Sequence, residues 1–157
     1  MKSVTTCITF AIIILIAGCS DESISRSDKP LTLSAAKKEL LDYPLPASAH
    51  SIYYLSFVGG MQYLEDYVRF DVDPQDLESS VDALVTWNNK QYKRSLAYPR
   101  TTLSTATLPS PGKSCLPMPW WDPATITTGY YRGHNNGYAL RIFVDQSRSR
   151  IYVYQSD

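Results

Sequence analysis

Three short runs near the C-terminus, "TTGYYRG", "YALRIFVDQ" and "RIYVYQ", confine most of what this chain can become to an antiparallel sheet. In the middle run Tyr138, Leu140, Ile142 and Val144 alternate with Arg141 and Asp145, a period of two that sends successive side chains to opposite faces of a strand. His134-Asn135-Asn136-Gly137 and Gln146-Ser147-Arg148-Ser149 separate the runs, and an Asn-Gly step is a strong hairpin signal. Three strands in two hairpins are predicted.

Two further strands are predicted upstream. "HSIYYLSFVGG" is aromatic and β-branched, and its two apolar faces mark a central strand that ends in a turn at Gly59-Gly60. "EDYVRFDVD" sends Val68, Phe70 and Val72 one way and Tyr67, Arg69 and Asp71 the other, as a half-buried strand does. "DPQDLESSVDALV" then reads as the main helix. Asp73 is placed to cap it, Pro74 suits the first helical position, and Leu77, Val81, Leu84 and Val85 form one apolar stripe. A shorter helix is predicted in "LSAAKKELLDYP", with Ser34 as cap, Ala36, Leu40 and Leu41 on one face, and Pro44 as its stop. Residues 88–121 lack periodicity and read mainly as loop. The expectation is an α+β fold: an antiparallel sheet of about five strands with one main helix packed on one face, plus a short N-terminal helix. The other face should carry tyrosines and charges.

The N-terminus has a different character. Lys2 precedes an apolar run that ends at Ala17 and Gly18, too short to cross a bilayer as a helix and shaped like a secretory signal. Leu15-Ile16-Ala17-Gly18-Cys19 resembles the lipobox of bacterial lipoproteins. That resemblance implies cleavage before Cys19, a diacylglyceryl thioether on its sulfur and acylation of its new amine. Only a thiol can supply the sulfur nucleophile that takes the lipid. It also implies an address: Ser20 after the cysteine, where aspartate commonly retains such proteins at the inner membrane, points to the outer membrane facing the periplasm. Residues 1–18 are then the signal peptide, 19–31 a flexible tether rich in Ser and Asp, and 32–157 a single domain. With Cys7 removed and Cys19 acylated, Cys115 has no partner for an intramolecular disulfide, and it reads as a small buried residue.

Constellations that carry catalysis or bind metals are not evident. Asp71, Asp73, Gln75 and Asp82 echo a calcium loop, but position six is Asp76 rather than glycine and Pro74 opens a helix. His50 and His134 are far apart and lack ligand-like spacing. No Gly-x-Ser-x-Gly elbow or phosphate-cradling glycine loop occurs, and a Cys115–His134 dyad, the basis of a third and least favoured reading as a hydrolase, is neither supported nor excluded by their separation. Lysine plus arginine equals aspartate plus glutamate at 15 each, so no global field favours nucleic acid. Charge is nonetheless uneven. Seven acids and one base lie between Glu65 and Asp82, while the C-terminal runs carry Arg132, Arg141, Arg148 and Arg150.

"MPWWDPATITTGYYRG" is the segment that most resembles a binding surface. Two adjacent tryptophans on an extended backbone point to opposite sides, so one of Trp120 and Trp121 is expected to pack inward and the other near the surface, and Tyr130-Tyr131 repeat that two-sided arrangement. These residues either plug the end of the sheet beneath the long loop or form an aromatic platform, with Tyr53, Tyr54 and Arg132 as neighbours. The body, with "PWWDP", "GYY", "VD" and a terminal "YVYQSD", is similar to small uncharacterised bacterial envelope proteins, a resemblance that brings no activity and no site residue. The expected role is a lipid-anchored envelope protein without catalysis, cofactor or metal. It is held to the membrane through Cys19 and binds a protein partner, an inhibitor or immunity protein being one form of that role. The alternative is a peptidoglycan- or glycan-binding module using the aromatic surface.

Overall fold

The computed structural model describes residues 22–59, 63–106, 108–109, 117–134 and 139–156. The signal segment, Cys19, Cys115 and the Asn136-Gly137 step lie outside them. In chain order the elements are β1 (Ser23–Arg26), α1 (Leu33–Glu39), β2 (His50–Gly59), β3 (Tyr63–Asp71), α2 (Leu77–Gln91), β4 (Arg100–Thr101), β5 (Gly129–Gly133), β6 (Ala139–Asp145) and β7 (Arg150–Ser156). The strands form one antiparallel sheet in the order β1-β2-β3-β7-β6-β5-β4. The chain lays down one meander and crosses the sheet through α2. It then returns by a second meander, so that β3 and β7 meet in the middle.

The α+β class is as expected, but the sheet has seven strands where about five were predicted. The additional strands are the two edges. β1 falls within residues 19–31, read above as a flexible tether, yet Ser23 to Arg26 pair with Val58 to Leu55 of β2. Its residues are all exposed and mostly polar, so no apolar alternation announces it. Backbone pairing makes the strand, and Ser27 reinforces it by accepting a hydrogen bond from the Tyr54 amide at 3.0 Å. β4 is two residues long and pairs with Tyr131 and Arg132.

One face of the sheet is covered by the helices. Ile52, Tyr54, Val68, Phe70, Leu140, Ile142, Val144, Ile151 and Val153 meet Leu77, Val81 and Leu84 of α2 and Ala36 of α1. The stripe on α2 follows from its spacing, with Val85 at its partly buried flank. The start of the helix differs from expectation. Pro74–Asp76 form a single 3₁₀ turn before the α-helix, and the Asp73 side chain makes no capping bond. The helix also continues to Gln91, past the predicted run. α1 is capped by Thr32 rather than Ser34, its hydroxyl accepting from the Ala35 amide. The chain leaves the helix at Leu40, so Leu41 departs from the apolar face and is 75% exposed.

The opposite face carries the tyrosines and charges expected of it, but it is covered as well. Residues 117–126 fold back over β3, β7 and β6, burying Tyr67, Phe143 and Tyr152 beneath Met118, Trp120, Trp121 and Ile126. At the centre Arg150 grips Asp71 with two hydrogen bonds, Nε to Oδ1 at 2.6 Å and Nη2 to Oδ2 at 3.0 Å. The acidic segment meets the C-terminal arginines at Asp71–Arg150 and Asp82–Arg132, and other pairs form beside them. Arg132 pairs with Asp82 at 2.5 Å, Arg100 with Glu78 at 3.4 Å, and Arg148 with Asp145 at 3.3 Å. Uneven charge along the chain thus becomes compensation across the fold.

Candidate functional site

The residues predicted as a binding surface do not share one. Trp120, Trp121 and Tyr131 pack on the loop-covered face of the sheet, while Tyr130 packs on the helix-covered face. Arg132 donates to Asp82 of α2, the same side as Tyr130. That division follows from strand alternation. The two indoles depart from expectation for a local reason. The Trp121 amide donates to the Met118 carbonyl at 3.0 Å, closing a turn, so neighbouring side chains no longer point to opposite sides. Trp120, 6% exposed, stacks on Tyr53 with centroids 5.6 Å apart. Trp121 meets Tyr67 and Tyr152 edge-on at 5.0 and 5.6 Å. The expected aromatic surface is interior.

Several tyrosines on this face converge on carboxylates. Glu65 accepts hydrogen bonds from Tyr63 at 2.6 Å, Tyr67 at 3.2 Å and Tyr154 at 3.1 Å. Tyr152 donates to Asp122 at 2.5 Å, and burial, aided by that bond, pushes its pKa up to about 12. Burial also raises Tyr98, Tyr130, Tyr131 and Tyr154. Unfolded tyrosines lose their protons near pH 10, so above that pH the unfolded chain binds fewer protons than the folded one, and stability falls as pH rises. The thermal midpoint is expected to be flat below pH 9 or so and to drop steadily from about pH 10 to 12. Tyr152→Phe should make that drop shallower, which melts at stepped pH would check.

An open concavity lies elsewhere, lined by the end of α1 and the turn after it, by Trp87 of α2, and by residues of β1, β2 and β3. A cleft of about 330 Å³ is lined by Ser25, Glu39, Leu40, Leu41, Tyr43, Tyr54, Ser56, Asp66, Val68 and Trp87. Each element places its residues for a local reason. Trp87 sits three residues beyond Leu84, at the flank of the α2 stripe, half-buried rather than in the core. Asp42 adopts a left-handed conformation, φ 63°, which turns the chain after α1 and brings Tyr43 beneath it. The Tyr43 and Trp87 rings meet at 4.9 Å. Tyr54 and Ser56 alternate on β2, and Asp66 stands opposite Ser56 on β3. Trp87 also borders a second hollow lined by Asp42, Lys90 and Gln91.

The chemistry of this cleft is mixed in a specific way. Glu39 accepts from the Tyr54 hydroxyl at 3.1 Å, and Ser25 lies 3.0 Å from that hydroxyl. Burial, together with the nearby Asp66 charge, holds the Tyr43 phenol well above its ordinary pKa, so it stays a neutral hydrogen-bond donor. Tyr43 Oη and Trp87 Nε1 are both buried and have no hydrogen-bond partner among the described residues. Buried donors seldom stand alone, and each such case calls for a cause. The described residues offer no nucleophile–base pair here, and no group of three or more His, Cys, Asp or Glu placed to hold a metal.

Of these residues the sequence singles out Tyr54 alone for a role, and as a neighbour of Trp120 and Trp121 rather than of Glu39, Tyr43 or Trp87. Glu39 and Tyr43 belong to one short segment and Trp87 to α2, and only the fold brings them together. The one local signal is Trp87 itself, a large aromatic at the edge of a helical stripe near the helix end. His50 contacts the Ser48 carbonyl at 3.0 Å, and the His134 ring lies 6.1 Å from that of Tyr98; neither borders the cleft. Among the described residues no helix is long and apolar enough to cross a membrane. Comparison with protein-family models, curated proteins and solved structures gives no match.

Proposed function

We propose that this chain is a non-catalytic protein-binding module of the bacterial envelope, lipid-anchored through Cys19 at the outer membrane on its periplasmic face, and that it binds through the cleft between α1 and α2. The observation that carries the binding reading is the set of groups at that cleft: aromatic walls, two carboxylates, two buried donors without partners, and Leu41 exposed on the rim. Aromatic anchors in a partly enclosed recess are the usual centre of an interface. The anchor reading rests on the lipobox resemblance. Glycan stacking on Trp120 and Trp121 has less support, because both indoles spend their faces and edges on Tyr53, Tyr67 and Tyr152.

The test is affinity capture from the protein's own envelope extract, run in parallel with the wild-type chain and with Leu41→Asp. Leu41 contributes little to the core, so this variant should fold normally. A stoichiometric protein retained by the wild type and lost with Leu41→Asp is the expected result. A partner retained equally by both moves the interface away from the cleft. Recovery of wall fragments alone would replace protein binding with glycan binding.

A further inference from the structure

We propose that the cleft receives one lysine or arginine side chain of the protein partner, together with a peptide carbonyl beside it; this rests on the protein-binding reading above. Glu39 and Asp66 line the same recess, and Asp42 borders the hollow that adjoins it, so an anionic ligand meets repulsion from several sides. A cation meets the reverse. The half-buried rings of Tyr43 and Trp87 offer aromatic surface to a cationic group, and indole is the strongest such partner. Leu40 and Leu41 supply an apolar lip against which an aliphatic stem can lie while its charged head reaches the carboxylates. Lys90, on the far side of Trp87, belongs to the second hollow rather than to this one.

The two unpartnered donors refine the ligand further. Tyr43 Oη and Trp87 Nε1 each need an acceptor, but a carboxylate or phosphate acceptor would conflict with Glu39 and Asp66. A peptide carbonyl accepts hydrogen bonds without net charge. A basic residue within a polypeptide carries a cation, a flexible apolar stem and an adjacent neutral acceptor in one unit. A bare metal ion satisfies neither donor, and the described residues hold no cluster of three metal-ligating groups.

The experiment is a titration of the full acylated chain in detergent micelles, read on its indole amide resonances. There are three tryptophans, and Trp87→Phe assigns the signal that belongs to the cleft. The probes are blocked tripeptides, glycine-X-glycine, with X lysine, arginine, norleucine or glutamate. Lysine and arginine peptides are expected to shift the Trp87 signal saturably, at least about tenfold more tightly than norleucine, and to leave Trp120 and Trp121 unmoved. Added salt should weaken the effect. Combining Glu39→Gln with Asp66→Asn should abolish the preference, and unchanged circular dichroism would exclude misfolding as the cause. An equal response to norleucine, a response to glutamate, or a static Trp87 signal would overturn the proposal. So would binding of an amine-bearing wall peptide where the lysine tripeptide fails. The two readings fail separately. A captured partner indifferent to the double variant removes the basic-side-chain proposal and leaves protein binding. Tight basic peptides with no captured protein do the opposite.

Discussion

Leu84→Asp should strip the domain of a large part of its stability. Leu84 is fully buried at the centre of the α2 stripe, against Val68, Phe70 and the middle strands. The substitution removes a core side chain and places a charge where no described cation can answer it. An uncompensated buried charge costs on the order of 3–5 kcal/mol, against a total stability of roughly 5–15 kcal/mol for a domain of this kind. Urea denaturation should show a loss of about 4 kcal/mol or more, or no cooperative transition at all. Leu84→Met, which keeps the volume, should lose less than about 1.5 kcal/mol. Near-wild-type stability for Leu84→Asp would mean that α2 does not pack on the sheet through this stripe.

Cys19→Ala is expected to have the second large effect, on location rather than folding. Without the thiol there is no nucleophile for the lipid, and the precursor should accumulate unacylated and uncleaved. Each buried methylene contributes about 0.8 kcal/mol, so several acyl chains hold a protein lastingly where one would let it exchange. Metabolic labelling with a fatty acid should mark the wild-type chain and not the variant. Labelling of both would exclude the lipobox reading. The urea transition of residues 22–157, produced without the leader, should match that of the acylated protein, separating attachment from stability.

What could be read from the sequence follows from how local each feature is. The paired strands β6 and β7 were visible in Leu140, Ile142 and Val144 and in the turn after Asp145, because alternation and turn chemistry are properties of neighbouring residues. The opposite placement of Tyr130 and Tyr131 was visible for the same reason. β1 was not visible, because Ser23–Arg26 becomes a strand only through the backbone of β2. The shared burial of Trp120 and Trp121 was hidden by a single hydrogen bond, Trp121 to Met118, that ends extended geometry between them. The cleft was hidden most deeply. Its walls come from both helices and three strands, and neither Glu39, Tyr43 nor Trp87 encodes that meeting alone.

The strand at Ser23 has a consequence for how a lipid-anchored form would meet its surroundings. Only Ser20, Asp21 and Glu22 separate the cysteine from the first paired residue, a span of at most about 14 Å even when fully stretched. In that form a leash so short would hold the Ser23 end of β1 close to the headgroups and restrict the tumbling of the domain. Because Ser25 of that same edge lines the cleft, the mouth of the recess would patrol a thin layer above the bilayer. Partners confined to that layer would be met in two dimensions at high local concentration, so a contact too weak to matter in bulk fluid would suffice there.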